Sequence, residues 1–424
     1  MDTKFGSVWM EGFDSNEYDT AIKNSEADVL IIGGGFTGLN AALTIAKNNI
    51  STILLEQYAL GNGASSRNGG FATTGCAMSY PELVAKYGKE LAKEFFNLSL
   101  DAIRLLKNVT TVENIDCDMV NNGNIVLASK ESHFKQFRET ARISQSELDH
   151  KLELLTATDT FAETGSSSFY GGLLDIESCS IHPVKYLSGL AETAIKAGAK
   201  IYTYTHVKGV KKETNGWIVF TNKGILRAKE IIIATNGYSG DLKISDIQNR
   251  IMPRGSYLIA TEKLTEKLKA SINVNNRLLY TSGLLSNYFR ITPDGRFLFG
   301  GRHNFTADVD LKLSRDILKE KMLSYFPMLE NLEIEYSWSG KLGFTRDKMP
   351  HIGKHKDLYY CIGYSAKGIP FSTLLGVKVA NILLGKENAG IFNNIRQRKY
   401  NIFSRNLFTL PFIYNQSRFK EYLS

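Results

Sequence analysis

Three glycines at fixed spacing behind a β-branched run constrain this chain more than any other feature. In Asp28-Val29-Leu30-Ile31-Ile32-Gly33-Gly34-Gly35-Phe36-Thr37-Gly38 a short apolar strand feeds a turn. Gly33 and Gly35 carry no side chain there, so a diphosphate can reach the main chain. The N–H groups that open the following helix then point at the anion, and the helix dipole favours it. Gly38 lets the helix pack close to the strand, and Leu39, Ala42, Leu43 and Ala46 recur at helical spacing. Ile50, Ile53, Leu54 and Leu55 supply a second buried strand. Glu56 ends it, eighteen residues after Gly38, where a carboxylate can accept hydrogen bonds from a ribose diol. The spacing predicts a dinucleotide-binding βαβ unit over about 27–58.

At 424 residues the chain exceeds one simple core and is expected to hold two domains built from interleaved segments. Its 43% hydrophobic and 22% charged residues exclude a disordered or fibrous protein. Cys76, Cys117, Cys179 and Cys361 form no CxxC and are read as free thiols of a reducing compartment. The amino terminus lacks a charged-then-apolar signal pattern, and no run reaches the ~18 apolar residues of a membrane span, so a cytoplasmic location is expected. The net charge of +8 is dispersed, without a basic block beyond pairs such as Lys211-Lys212. That disfavours a nucleic-acid partner and suits a solvated surface or the steering of an anionic ligand.

Residues 1–26 read as an extended arm anchored by Trp9, Phe13 and Tyr18. A helix opens at His182-Pro183 and ends at Gly198, ahead of a strand-like run from Lys200 to Val207. Asn215-Gly216 and Asn222-Lys223-Gly224 mark turns of a meander made of 207–212, 217–221 and 225–228, with a separate buried strand at 231–234. A strand over 358–362 and a helix over about 372–384 follow. The expected class is α/β in a two-domain α+β arrangement: a Rossmann-like βαβ domain from 27–80, 151–245 and 336–400, and a mixed or antiparallel-sheet substrate domain from 81–150 and 246–335. The latter includes a strand near 123–128 and a helix near 308–324. Residues 401–424 form a carboxyl-terminal tail.

GxGxxG turns serve nicotinamide, flavin and other adenine cofactors alike. The loop Gly61-Asn62-Gly63-Ala64-Ser65-Ser66-Arg67-Asn68-Gly69-Gly70 narrows the choice, because its hydroxyls, amides, guanidinium and open backbone suit a large cofactor that needs many donors. With this loop, the opening 27–39, Ile233-Ala234-Thr235-Asn236-Gly237 and 254–262, the chain resembles the D-amino-acid oxidase superfamily of FAD enzymes. Tyr288-Phe289-Arg290, Phe299-Gly300-Gly301-Arg302, Trp338-Ser339-Gly340, Met349-Pro350-His351-Ile352-Gly353 and Gly363-Tyr364-Ser365-Ala366-Lys367-Gly368 extend the resemblance over nearly the whole chain. Within the superfamily it is most similar to γ-glutamylputrescine oxidoreductases.

The resemblance implies that Gly33, Gly35, Phe36, Thr37 and Gly38 hold the FAD pyrophosphate and that Glu56 and Gln57 meet the adenosine ribose. Ser65, Ser66, Arg67, Asn68, Gly69 and Gly70 would run beside the diphosphate, ribityl chain and flavin, and Val207 beside the adenine. Thr235 and Asn236 belong to the same set. Gly363, Lys367, Gly368 and Ile369 would line the pyrimidine side of the flavin, where negative charge on the reduced ring favours a cation or N–H donors. Lys367 is a candidate for that role, beside its reading as a solvated loop lysine. The FAD is expected to be noncovalent, since neither the Arg67-Asn68 region nor 341–344 offers the His or Cys by which some relatives attach it. Phe297-Leu298-Phe299 lacks the oxygen-activating lysine of certain sarcosine-oxidising relatives.

The implied activity is oxidation of a CH–NH bond of a small amine or amino acid, with hydride moving to the flavin, hydrolysis of the imine, and reoxidation by oxygen or another acceptor. Tyr288, Arg290, Arg302 and Lys367 are the candidate catalytic residues, the arginines as bidentate anchors for a substrate carboxylate. Tyr257, Phe289 and Trp338 are candidate cavity walls, although each also suits core packing. His351 and His355 are four apart, but Pro350 and Gly353 place them on a turn or strand, so no metal site is expected. Two other readings stand beside this one: an FAD-dependent tRNA-modifying oxidase, and a non-catalytic flavin-binding protein.

Overall fold

A computed structural model describes residues 2–13, 18, 25–239, 242, 244–283, 285–302 and 310–400. The predicted tail 401–424 lies outside the described residues. Two eight-stranded sheets dominate the molecule.

In the first sheet the strand Ser25–Ile32 runs parallel to Thr52–Leu55 on one side and to Ile225–Ile233 on the other. Ile32 sits opposite both Leu55 and Ile233, so the three strands end at one level. Gly33, Glu56 and Ala234 therefore open a common crevice at the carboxyl edge, the usual place for a ligand in such a sheet. Leu358–Ile362 and Lys200–Tyr202 extend the sheet outward. The meander is present as Val207–Glu213, Gly216–Thr221 and Ile225–Ile233. One difference from the sequence reading is that 225–228 and 231–234 belong to a single strand. Its first half alternates buried and exposed residues under Gly216–Thr221, and its second half is buried between two parallel neighbours. The change of pattern marks a change of cover, not a break.

The helices Phe36–Ala46, Pro183–Lys196 and Gly368–Leu383 lie over this sheet and share one apolar core with Tyr80–Tyr87 and Lys89–Val112. Leu83, Ala92, Phe95, Ile103 and Leu106 are buried there, although the sequence reading gave their segment to the second domain.

The second sheet runs Ile334–Thr345, Ile251–Lys263, Arg296–Gly301, Tyr288–Ile291, Leu278–Thr281, Asn124–Leu127, Gly172–Asp175 and Glu153–Leu155. Three of these strands, Glu153–Leu155, Gly172–Asp175 and Ile334–Thr345, fall mostly inside segments that the sequence reading gave to the dinucleotide domain. Ile334–Thr345 pairs along almost its full length with Ile251–Lys263, from Thr345 opposite Ile251 to Ile334 opposite Thr261. A strand's own pattern fixes which residues share a face, while its partner is chosen by distant chain, so sheet membership was not readable locally. One face of this sheet carries Tyr257, Ile259, Phe289, Phe297 and Phe299 against the helix Leu311–Tyr325. On the other, Leu258, Leu298, Tyr336 and Trp338 receive Val8 and Trp9 of the amino-terminal arm.

Candidate cofactor and substrate site

A cavity of about 890 Å³ opens between the carboxyl edge of the first sheet and the second sheet. Its first end is built from main chain. Gly33 has φ +112°, and a Cβ there would meet the Ala234 carbonyl oxygen at 2.8 Å. A Cβ on Gly38 would lie 1.9 Å from the Gly33 oxygen, so this glycine sets the helix against the turn and stays outside the cavity wall. The Glu56 carboxylate accepts from the Gly34 N–H at 2.8 Å and the Tyr58 N–H at 3.1 Å, which holds it at the mouth of the crevice. Burial nonetheless pushes its carboxyl above the usual range. Gln57, Thr205, His206 and Val207 line the cavity beside it.

The glycine-rich loop is tied down by its own side chains. Asn68 Nδ2 donates to the Ala64 and Ser65 oxygens at 3.0 Å, and its Oδ1 accepts from Gly70 N–H at 2.8 Å. Arg67 donates from Nε to Asn62 O at 2.9 Å and from Nη1 to Ser339 O at 3.1 Å. Trp9 Nε1 donates to Asn68 O at 2.7 Å, and Ser7 Oγ to Ser66 O at 2.6 Å. Ser66 is buried with its hydroxyl turned back to Gly61 O, away from the cavity. Ser65 faces the opposite way: its Oγ accepts from the Phe36 N–H at 3.1 Å and joins the loop to the start of the first helix.

Across the cavity, Lys367 immediately precedes the helix Gly368–Leu383. Its ammonium donates to Thr73 Oγ1 at 2.6 Å and Thr74 O at 2.7 Å, so it is a held group and not a solvated loop lysine. Burial brings it down to about 8. Tyr364 OH and Thr37 Oγ1 lie 2.6 Å apart and link this segment to the first helix.

The second end of the cavity is made of side chains. Tyr280 and Tyr288 are cross-strand neighbours and both line it. Tyr288 OH is 2.9 Å from Ser256 Oγ, and its ring meets Phe71 edge-on at 5.6 Å. Tyr288 sits opposite Gly300, where a Cβ would lie 2.3 Å from the ring, so glycine at 300 makes room for the tyrosine. Arg302 follows two residues on, its guanidinium 5.0 Å from the Phe344 ring centre. Burial, with Arg254 nearby, lowers it to about 10, and no carboxylate among the described residues is among the groups that act on it.

Of the sequence-predicted residues, the cavity wall takes Gly33, Gly35, Phe36, Thr37, Glu56, Gln57, Ser65, Arg67, Asn68, Gly69, Val207, Thr235, Asn236, Lys367, Gly368, Ile369, Tyr288 and Arg302. Gly38, Ser66, Gly70 and Gly363 lie behind it. Arg290 is not brought to the cavity. It is 1% exposed, and its Nη1 donates to Ile181 O at 3.1 Å and Gly70 O at 3.4 Å, beneath the loop. Tyr257 and Phe289 point to the helix-covered face, and Trp338 donates its Nε1 to Arg67 O at 3.3 Å within the arm cluster. Tyr280, Ser256, Phe71 and Thr73 were missed. Strand parity would have separated Tyr288 from Phe289, but not told which of the two faces the cavity. His351 and His355 lie on one strand and bond separate carboxylates, Asp347 and Asp246, at 2.9 Å.

The features of the first end, a side-chain-free turn at a helix start and a carboxylate at the next strand's end, fit a dinucleotide cofactor of FAD's size. The family model for FAD dependent oxidoreductases (DAO) matches residues 28–382. The chain is 30% identical over 369 residues to the gamma-glutamylputrescine oxidoreductase of Escherichia coli, covering 87% of this chain and 86% of that one. It is 33% identical over 377 residues to a Haemophilus influenzae protein named "Probable oxidoreductase OrdL", with 87% and 86% covered. In fold it resembles the crystal structure of glycine oxidase from Geobacillus kaustophilus, with a TM-score of 0.75, 21% identity, and 88% and 99% of the two chains covered. The chain belongs to the FAD dependent oxidoreductase (DAO) family.

Proposed function

We propose that this protein oxidises the CH–NH bond of a small amine that also carries a carboxylate, γ-glutamylputrescine being the model compound. The observation that carries the reading is Arg302: a half-buried guanidinium on the cavity wall, beside Tyr288, with no acidic partner among the described residues. A half-buried cation that faces a cavity without a carboxylate beside it favours an anionic ligand. FAD held there would supply the two-electron acceptor for a hydride lost from the carbon that bears nitrogen, the product imine then being hydrolysed by water.

The chain's own groups supply orientation and exclusion of water. Tyr280, Tyr288 and Phe71 offer an apolar wall that favours the neutral amine over its ammonium form. Ser256 fixes the Tyr288 hydroxyl, and Arg302 anchors the far end of the substrate. Gly33, Gly35, Phe36, Thr37 and Glu56 would hold the diphosphate and ribose, with Lys367, Gly368 and Ile369 beside the ring. The FAD is read as noncovalent, so acid precipitation should release all the yellow colour into the supernatant. Similarity to a gamma-glutamylputrescine oxidoreductase supports the amine class.

The deciding experiment is anaerobic mixing of the yellow protein with paired amines that differ only in a remote carboxylate. Bleaching of the flavin band by the carboxylate-bearing member at far lower concentration is expected. Equal bleaching by both members would refute the anchor, and no bleaching by any amine would refute the activity. A peroxide assay in air then identifies whether oxygen is the acceptor.

A further inference from the structure

Behind the cavity wall lies a buried acid–base pair that the proposed reaction does not use. Asp175 ends the strand Gly172–Asp175, and His150 follows the helix Glu131–Leu148 after Asp149, whose φ of +51° turns the chain. His150 Nε2 and Asp175 Oδ2 are 3.0 Å apart, with both side chains 7% exposed. Thr74 Oγ1 donates to the same Oδ2, and the Glu177 N–H reaches Oδ1 at 3.0 Å. Thr74 is also the residue whose carbonyl oxygen accepts from Lys367 Nζ at 2.7 Å. One threonine thus has its hydroxyl on the acid and its carbonyl on the lysine, and Lys367 with the neighbouring Thr73 faces the cavity.

We propose that Asp175, held between Thr74 and His150, is the positioning residue and counter-charge that fixes the Lys367 ammonium at the cavity wall, and that His150 tunes it. The link is electrostatic and steric: the lysine meets a carbonyl, which relays no proton. An ionised Asp175 supports the ammonium, and protonation of His150 draws that support away, so the two cations compete for one carboxylate. The Asp175 carboxyl is held below its ordinary range and the His150 imidazole above its own, the latter by the hydrogen bond and charge of Asp175 overcoming burial.

The surrounding groups leave this competition intact. Glu177 also faces His150 electrostatically, and the helix Lys89–Val112 presents the Phe96 ring to it, edge-on at 5.1 Å. Tyr280, two strands away across Asn124–Leu127, also acts on Asp175, and burial keeps it a phenol. Near Lys367 the other titratable group is Cys76, whose thiol burial pushes up to about 12.

The inference rests on the proposed role of Lys367 only for its consequence, so the test reads the lysine itself. The Lys367 side-chain carbon signal is followed by NMR against pH in the full chain, with and without FAD, and assigned by its loss in Lys367→Met. A midpoint near 8 is expected, with a smaller inflection through the His150 titration. Asp175→Asn should lower the midpoint by about half a unit or more. His150→Gln, which can still donate to Asp175 but does not titrate, should keep the midpoint and erase the inflection. By reciprocity of coupling, Lys367→Met should move the His150 midpoint upward. A Lys367 midpoint unchanged in Asp175→Asn, or a wild-type lysine signal flat through the His150 range, would overturn the proposal. Should Asp175→Asn fail to fold, the His150→Gln comparison decides alone. A protein that stays colourless with FAD would refute the cofactor reading and leave this titration readable.

Discussion

At one end of the cavity the wall is main chain: Gly33 and Gly35 leave bare backbone at a helix start, and the neighbouring Gly38 cannot carry even a methyl. At the other end the wall is Tyr280, Tyr288 and Ser256, presented by three strands of a second sheet, and Arg302 just past the end of a fourth. On the proposed reading, the first end would recognise what every dinucleotide shares, through geometry that tolerates no side chain. The second would recognise what distinguishes one substrate from another, through groups that can be exchanged without disturbing the strand that bears them. Loss at the first should therefore be loss of fold and cofactor together, and loss at the second should be loss of selectivity alone.

The sharpest way to break this contrast is Gly38→Ala. The added methyl would overlap the Gly33 oxygen, and destabilisation of about 3 kcal/mol or more is expected, with loss of bound flavin, read by denaturant unfolding and absorbance. Next comes Arg302→Met, expected to cost ~100-fold in kcat/KM, about 2–3 kcal/mol, for carboxylate-bearing amines while leaving their carboxylate-free partners and the unfolding midpoint unchanged. Arg290→Met should do the reverse: its carbonyl acceptors Ile181 and Gly70 lose their donor, at about 1–3 kcal/mol of stability, and the preference between paired amines stays the same. Tyr288→Phe removes one hydroxyl from Ser256, and about 1 kcal/mol in kcat/KM is the smallest substitution effect expected.

The pH dependence of stability adds a fifth test. Lys367 is depressed to about 8 in the folded chain from 10.5, so between these values the unfolded chain binds more protons. Wild-type stability should therefore rise relative to Lys367→Met as pH increases from 8 to 10.5. A parallel pair of stability curves across that window would contradict the burial of a charged lysine at the wall.

Much of the first end was legible in the residues because its determinants are local: a strand, a turn and a helix within 28–46, with Glu56 one strand further on. The loop at 61–70 was recognised as a donor-rich element, yet the sharing of its donors was not. Asn68 and Arg67 bind the loop's own carbonyls and Ser66 faces inward, because a loop that must hold one shape satisfies its backbone from within. Between Arg290 and Arg302 the sequence offered no preference. Arg290 lies under Gly70, and Arg302 clears the wall two residues beyond Gly300.

Local sequence, then, determined the periodicities, the glycine turn and the βαβ unit, since these depend on sterics and on contacts a few residues away. Which strand joined which sheet, which face of Tyr288–Ile291 met the cavity, and which buried charge found a partner were decided by the assembled fold, with Ile334–Thr345 pairing to chain 73 to 94 residues away and Arg290 meeting Ile181, 109 apart. Register and burial set those outcomes, and both are properties of assembled sheets. The pairing of Asp175 with Thr74, 101 residues away, is of the same kind.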